Sequence, residues 1–267
     1  MSAETESDVR LNSADGIKVA LVGDSVIAGL GVHGRSYGRL TAECLGAAHV
    51  LRLARSTHTV VNARGHIDRL WEFNPDLIIM SVGGSDCLVH AGHAAQSLLD
   101  RLAPKSWQGI EGLEPRPWFS GEKAERRRQK VTGMLKLLLK HIGIALTGGY
   151  RRVPPKEFAT ALQHLLSSLD GMGARIVFVG LHELDDRLWP RSNDSICEYN
   201  QIIQSQLLQY PRIVFVDPNP HLDRWSDFCV DHAHFNERGH ANVTRAILEA
   251  LRPITLPTDV HDAVEAK

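Results

Sequence analysis

Cysteine is scarce in this sequence, and its few cysteines form no recognisable motif. The 267 residues include four cysteines, which lie far apart in the chain. They are Cys44, Cys87, Cys197 and Cys229. Scattered cysteines are typical of reduced thiols in a cytosolic protein, because disulfide frameworks and zinc sites use close, repeated spacings. His90 and His93 have no acidic third ligand beside them, so we expect no metal site.

The sequence also lacks a long apolar run and an excess of either charge. No apolar run reaches the roughly 20 residues that a membrane span needs, and residues 1–15 lack the apolar core of a signal peptide. A formal net charge of −1 provides no general attraction to nucleic acids or membranes. Residues 23–31 contain no Gly-x-Gly-x-x-Gly motif, so no dinucleotide is expected. These absences predict a cytoplasmic protein with no transmembrane segment, no nucleic-acid partner and no cofactor.

What the sequence does contain is a regular alternation of short apolar runs and helical patterns. A hydrophobic content of 43% over 267 residues is enough for one large core. Five apolar runs predict buried strands, at residues 17–22, 49–54, 77–82, 175–180 and 213–217. Helical patterns separate or follow them, at residues 37–46, 60–73, 154–172, 194–210 and 236–251. Strands that alternate with helices favour a five-stranded parallel sheet covered on both faces.

The first candidate site residue follows the first predicted strand. The strand stops at Gly23, and Asp24 and Ser25 then begin a turn and a helix. Ligands of open α/β sheets bind beyond the carboxyl ends of the strands, so Ser25 lies where chemistry is expected. The N–H groups of a helix start can also receive developing negative charge. The alternative is that Asp24 and Ser25 only cap a helix.

A second candidate segment lies near the other end of the chain. Asp231 precedes His234 by three residues, and the final helical pattern begins soon afterwards. A carboxylate at that distance can fix the tautomer of the imidazole and aim it at a hydroxyl. This is the logic of a serine–histidine–aspartate triad.

Together, the two segments resemble the first and last blocks of the SGNH/GDSL-type serine hydrolases. Gly23-Asp24-Ser25 matches the first block, and Asp231 and His234 match the Asp-x-x-His of the last. The resemblance covers most of residues 17–100 and 174–251. It implies a flavodoxin-like three-layer α/β/α fold with a helical insertion after strand three. It also implies that Ser25 is the nucleophile, His234 the base and Asp231 the orienting acid.

The middle blocks depart from the family pattern. Ser81-Val82-Gly83-Gly84-Ser85-Asp86 is similar to the third block, but Ser85 stands where the family has an oxyanion-binding Asn. In the second block, Thr57 occupies the position of a Gly whose N–H faces the oxyanion, and Gly65 is a second candidate. The resemblance therefore implies an oxyanion hole formed by the N–H groups of Ser25 and Thr57 and by the Ser85 hydroxyl.

Three further residues are candidates for contact with the substrate. Gly84 belongs to the third block, His182 follows the fourth predicted strand, and Asp24 is beside the nucleophile. For Asp24 the alternative is a structural carboxylate in the turn, and for His182 a rim position without substrate contact.

One segment does not follow the strand–helix alternation. Residues 16–252 are predicted as one domain, between a disordered tail at 1–15 and a C-terminal tail at 253–267. Within that domain, a basic helical insertion spans about residues 100–153. Residues 121–156 contain ten Lys or Arg and two acidic residues.

The insertion includes a predicted amphipathic helix over residues 122–146. Lys136 and Lys140 lie opposite an apolar face, which is made of Val131, Met134, Leu135, Leu138, Ile142 and Ala145. We interpret the apolar face as packed on the domain and the basic face as solvated. The alternatives are a lid over the Ser25 site and a surface for an anionic partner. Such a partner would be an acyl carrier, a coenzyme A tail or acidic lipid headgroups.

These features lead to three hypotheses about function. The favoured one is an esterase that cleaves a small-molecule carboxylic ester through an acyl-enzyme on Ser25. The second passes the acyl group to a metabolite alcohol or amine. The third is a catalytically silent module that binds an anionic partner through the insertion.

Overall fold

The computed structural model describes residues 16–109 and 112–252, and a parallel sheet forms the centre of this part of the chain. The strands in chain order are β1 (Lys18–Gly23), β2 (His49–Ala54), β3 (Leu77–Ser81), β4 (Val89–His90), β5 (Tyr150–Arg151), β6 (Arg175–Val179) and β7 (Ile213–Val216). Five of them form the parallel sheet in the order β2-β1-β3-β6-β7. This is the flavodoxin-like order, and it confirms the predicted fold class.

Ten helices accompany the strands in the described part of the chain. They are α1 (Ser25–Ala28), α2 (Tyr37–Cys44), α3 (Val60–Arg64), α4 (Ile67–Phe73), α5 (Gly84–Cys87), α6 (His93–Leu102), α7 (Lys123–Thr147), α8 (Pro155–Asp170), α9 (Ser192–Leu207) and α10 (Glu237–Leu251). Helices α2 and α10 pack together on one face of the sheet, and α3, α8 and α9 cover the other.

The two faces of the sheet carry separate hydrophobic cores. Along β1, Val19 and Leu21 point into the core with α2 and α10, whereas Ala20 and Val22 point into the core with α3, α8 and α9. Side chains of a strand alternate between its faces, so a continuous apolar run is what a sheet buried on both sides requires.

The single helix predicted over residues 60–73 is wrong, because two helices occupy this range. At the start of α3, the Oδ1 atom of Asn62 accepts from the Thr59 N–H at 2.9 Å. Gly65 ends α3, its N–H bonding back to the Val61 carbonyl, and His66 starts α4. Both helices contact α8.

A short antiparallel pair of strands joins the two ends of the insertion. Strands β4 and β5 pair Val89 with Arg151 and His90 with Tyr150, so that they enclose residues 91–149. The helical segment therefore begins earlier than the predicted boundary near residue 100, since α6 already belongs to it. The predicted tails at 1–15 and 253–267 lie outside the described residues, and the predicted domain boundaries stay a prediction.

Helix α7 has the orientation opposite to the predicted one. Lys136 and Lys140 are buried, with 8% and 1% of their surfaces exposed, whereas the predicted packing face is exposed. The Lys140 ammonium lies 2.6 Å from Glu114 Oε2 and 4.2 Å from the ring centroid of Trp189. A buried cation is tolerated only when it is paired in this way. The interpretation of a packed apolar face and a solvated lysine face is therefore wrong.

No helix within residues 16–109 and 112–252 has both the length and the apolar character that crossing a membrane requires.

Candidate active site

The nucleophile candidate is positioned by a close approach of two strands. Gly23 ends β1 with a φ of +146°, and a Cβ at this position would lie 2.0 Å from the Ser81 carbonyl oxygen of β3. Only glycine fits there, so the chain can turn sharply after the strand. Asp24 Oδ1 then accepts from the Val26 N–H at 3.1 Å, and Ser25 becomes the first residue of α1. Asp24 thus caps the helix, and Ser25 still faces a cavity.

The loop before α10 brings a histidine and an aspartate to this serine. Asp231 Oδ1 accepts from the N–H groups of Ala233 and His234, both at 3.1 Å, which folds the loop around the carboxylate. The other oxygen, Oδ2, lies 2.6 Å from His234 Nδ1. On the far side of the ring, His234 Nε2 lies 2.8 Å from Ser25 Oγ. Because a carboxylate only accepts, Nδ1 carries the proton, which leaves Nε2 to accept from the serine hydroxyl.

A second buried carboxylate ties the nucleophile turn to the third block. Asp24 Oδ2 accepts from the Ser85 N–H at 3.3 Å. A Cβ at Gly84 would meet the same oxygen at 2.4 Å, so Gly84 leaves room for this carboxylate. Burial raises the pKa of Asp24, against the opposing effects of the Val26 N–H and of His234. Asp24 therefore has the structural role that the sequence left open, and it also lines the cavity.

Asp86, the last residue of the third block, is buried. Its carboxylate oxygens accept from the Val60 N–H at 3.0 and 3.2 Å, at the start of α3. Burial, assisted by the neighbouring Asp24, raises its pKa to about 7 against the opposing effect of the Val60 N–H. This carboxylate links the third block to the segment that carries Thr57.

Most of the candidate residues meet at one cavity. Those that line it are Ser25, His234, Asp24, Gly84, Ser85 and His182. Asp231 lies behind His234 and is 1% exposed. The rest of the wall is mostly apolar and includes Leu88, Leu181, Leu184, Trp189, Ile196 and Phe235.

The two alternative oxyanion residues lie outside the cavity wall. Thr57 adopts a left-handed backbone with a φ of +67°, and its carbonyl accepts from Arg152 Nη1 at 3.1 Å. A positive φ is uncommon for a β-branched residue and costs about 1–3 kcal/mol. Gly65 lines a separate depression together with His164 and Ser167. The left-handed backbone is what a glycine normally supplies at the Thr57 position.

His182 supports the loop that carries Asp231 and His234. Its Nε2 atom lies 2.7 Å from the Ala233 carbonyl, to which it donates, and its ring packs 4.5 Å from that of Phe235. Burial lowers its pKa to about 4, although the bond to Ala233 opposes the shift. A neutral His182 thus holds the residue next to His234 in place.

Sequence reasoning missed Trp189. Its indole N–H donates to the Asp231 carbonyl at 2.8 Å, and its ring is part of the cavity wall. The two residues are 42 positions apart, and no spacing rule connects them. Charged residues flank Trp189 in the sequence (Asp185, Asp186, Arg187 and Arg191), so no apolar run marked it as a buried residue.

Among the residues that the structure describes, no group of three or more His, Cys, Asp or Glu side chains is arranged to hold a metal ion.

Several solved structures share this fold. LAE5, an alpha/beta hydrolase enzyme from the metagenome of Lake Arreo, Spain, matches with a TM-score of 0.56 and 16% identity over 89% of this chain and 96% of its own. Axe2, an acetylxylan esterase from Geobacillus stearothermophilus, matches with a TM-score of 0.55 and 14% identity over 90% and 95%. TesA matches with a TM-score of 0.54 and 14% identity over 88% and 98%. At such identities the likeness concerns the fold.

In sequence, no curated protein matches the chain. The profile of the GDSL-like lipase/acylhydrolase family, however, matches residues 21–241, which include both the Ser25 turn and the Asp231–His234 loop. The resemblance inferred from these two segments is confirmed by this match. The chain belongs to the GDSL-like lipase/acylhydrolase family and is an ester-hydrolysing serine hydrolase.

Proposed function

We propose that the protein cleaves a small carboxylic ester through an acyl-enzyme on Ser25, with His234 as base and Asp231 as orienting acid. The observation that supports this is the unbroken line of contacts from Asp231 Oδ2 to His234 Nδ1 at 2.6 Å and from His234 Nε2 to Ser25 Oγ at 2.8 Å. Both distances are within hydrogen-bonding range for proton transfer.

The reaction proceeds in two halves. Ser25 Oγ attacks the ester carbonyl carbon while its proton passes to His234 Nε2, and the tetrahedral intermediate then expels the alcohol, which takes that proton. Water attacks the resulting acyl-serine, His234 accepts a proton from the water, and the collapse releases the carboxylic acid and restores Ser25. Asp231 stays ionised throughout and stabilises the imidazolium.

The oxyanion is held by donors at the end of the sheet. The Ser25 N–H lies at the start of α1, where helix N–H groups are not bonded within the helix. The Ser85 N–H is already directed to Asp24, so Ser85 contributes its hydroxyl instead. Thr57 has a left-handed backbone but does not line the cavity, so its N–H as a further donor stays a prediction of the family resemblance.

The apolar wall favours an apolar acyl group. Leu88, Leu184 and Ile196 surround the space beside Ser25, and burying each additional methylene there contributes about 0.8 kcal/mol. Transfer to an alcohol or amine is the other fate of the same acyl-enzyme. A lid over the cavity would favour transfer by excluding water, but no described residue of 91–149 lines this cavity. Hydrolysis is therefore the proposed outcome.

A fluorophosphonate probe tests the assignment directly. We expect one covalent adduct, which peptide mass spectrometry places on Ser25. A blank result, under conditions that label a reference serine hydrolase, would favour the silent module instead. Product analysis with p-nitrophenyl acetate and added alcohols separates the two fates, since a transferase would form the new ester faster than free acetate.

Replacing Ser85 with alanine is expected to lower kcat about ten-fold, or about 1.4 kcal/mol. A hydroxyl is shorter than the amide that the family uses, so its bond to the oxyanion is longer and weaker. Ser85→Asn should keep or raise activity on p-nitrophenyl acetate, because the amide restores the longer donor. Steady-state kinetics of both variants provide the measurement. A Ser85→Ala enzyme as impaired as Ser25→Ala would show that this role is misassigned.

A further inference from the structure

Helix α7 presents a continuous apolar surface to solvent. Six large side chains recur with the 3.6-residue helical period and form what we call the apolar stripe: Val131, Met134, Leu135, Leu138, Ile142 and Leu146. Their exposed fractions run from 45% for Ile142 to 81% for Leu146. The stripe extends along the helix for roughly 22 Å. Exposed apolar surfaces of this continuity mark interaction sites.

The orientation of α7 is fixed from the inside. Its buried face consists of Lys136, Lys140, Gly143 and Ile144. Lys140 is paired with Glu114, and the Lys136 ammonium donates to the Ser106 carbonyl at 3.2 Å. Rotating the helix to bury the stripe would expose Ile144 and break the buried ion pair. The stripe is therefore held in solvent.

The N-terminal part of α7 carries a cluster of positive charges. Five exposed basic residues precede the stripe and form what we call the basic cluster: Lys123, Arg126, Arg127, Arg128 and Lys130. Glu125 is 3.8 Å from Arg128 and 42% exposed, so it offsets little of this charge. Between Glu125 and Glu157 the sequence has no acidic residue at all.

The apolar surface is extended by the loops beside α7. Trp118 is 57% exposed and precedes Phe119, whose ring centroid lies 5.8 Å from Lys130 Nζ. Val230 is 48% exposed, and its N–H donates to the Pro117 carbonyl at 3.2 Å. Val230 is also the residue before Asp231, so the surface reaches the loop that carries the catalytic carboxylate.

The charges beside the apolar stripe indicate which kind of partner this surface binds. A second copy of the chain that docked through the same helix would bring another basic cluster, with only Glu122 and Glu125 to offset its five cations. A neutral apolar groove on a partner would leave the cluster unpaired. A membrane surface that contains anionic lipids offers acyl chains to the stripe and Trp118, and negative headgroups to the basic cluster.

We infer that α7 docks the protein on an anionic lipid surface, with the apolar stripe in the headgroup–acyl boundary and the basic cluster on the phosphates. This goes beyond ester hydrolysis and does not depend on it. Docking through α7 and Val230 would also place the loop that carries Asp231 and His234 next to the lipid surface.

Vesicle sedimentation with the full-length protein tests the inference. Wild type should bind vesicles of equal phosphatidylcholine and phosphatidylglycerol, should not bind phosphatidylcholine alone, and should dissociate as salt is added. Leu138→Ser should weaken binding at least about ten-fold through lost apolar burial, and Arg127→Gln about five-fold through lost attraction to headgroups.

Matched control variants distinguish binding through this surface from non-specific binding to vesicles. Leu208→Ser removes another highly exposed leucine, just after the end of α9, and Arg69→Gln removes another exposed cation, on α4; neither should change binding. Turnover of soluble p-nitrophenyl acetate should be the same in all four variants, which keeps this test separate from that of the proposed function. Equal vesicle binding by Leu138→Ser and wild type would overturn the inference. So would a wild-type dimer, seen by light scattering, that Leu138→Ser converts to monomer.

Discussion

Replacing Ser25 with alanine is expected to lower kcat for p-nitrophenyl acetate by at least about four orders of magnitude. The variant has no atom to form the acyl-enzyme, so only binding and the oxyanion donors remain to accelerate attack by water. His234 Nε2 loses its partner at 2.8 Å, but the fold should persist because Ser25 makes no other side-chain bond that the structure describes. Steady-state kinetics together with circular dichroism measure both effects.

Two comparisons sharpen that experiment. Ser205→Ala removes an exposed serine on α9 and should leave kcat unchanged. His234→Ala should be impaired nearly as much as Ser25→Ala, and the double variant hardly more, because residues that act as one unit are not additive. A Ser25→Ala enzyme with wild-type turnover would contradict the proposed mechanism.

Replacing Glu114 with alanine is expected to lower the free energy of unfolding by about 3–5 kcal/mol, the usual cost of breaking a buried ion pair. Glu114 holds both the Lys140 ammonium at 2.6 Å and His90 Nδ1 at 3.0 Å. Without it, a lysine that is 1% exposed has no counterion and must lose its proton or force the insertion open. Urea denaturation followed by tryptophan fluorescence measures the change.

An exposed ion pair provides the control for Glu114. Arg39 and Glu43 lie 3.1 Å apart on the surface of α2, so Glu43→Ala should cost less than about 1 kcal/mol. The double variant Glu114→Leu with Lys140→Met should recover most of the loss, because an apolar pair can replace a buried ionic one. A Glu114→Ala protein as stable as wild type would show that the pair does not anchor α7.

The pH dependence of this effect has a defined sign. Burial raises the pKa of Glu114, but Lys140 and then His90 outweigh it and hold the value at about 2. Because the pKa of Glu114 is lower in the folded protein, its ionised carboxylate stabilises the fold at pH values above the unfolded pKa of 4.5. This contribution is lost as the pH falls toward 2. The difference between wild type and Glu114→Ala should therefore be full at neutral pH and shrink below pH 4.5.

The sheet and the contact between Asp231 and His234 could be predicted because their signals are local. The apolar run of β1 and the glycine that ends it are contiguous in the sequence, and Asp231 and His234 are three residues apart. The first pattern is typical of a strand buried on both faces, and the second is typical of an imidazole held by a carboxylate. Family resemblance then joined the two ends of the chain.

The orientation of α7 could not be predicted because its cause is distant. Periodicity found the helix and its two faces, but the rule that apolar faces point inward assumes that lysines have no partner in the core. Here Glu114, 26 residues before Lys140 and in an irregular segment, supplies that partner. The break after Gly65 was missed because the apolar spacing continues across it, from Val60 and Val61 to Ile67 and Leu70, although α3 ends at Gly65 and α4 starts after His66.

In the proposed mechanism, the distance in sequence between Ser25 and His234 determines the stage of synthesis at which the enzyme becomes reactive. They are 209 positions apart, and the loop with His234 precedes α10, whose His240 Nδ1 accepts from the Tyr37 N–H at 3.1 Å. A nascent chain on the ribosome would then carry its nucleophile from the first strand onward but have no base until His234 has been synthesised. We therefore expect acylation of Ser25 only once the last helix has docked on α2, and we expect a fragment that ends before residue 231 to be inert toward esters and toward serine-directed probes.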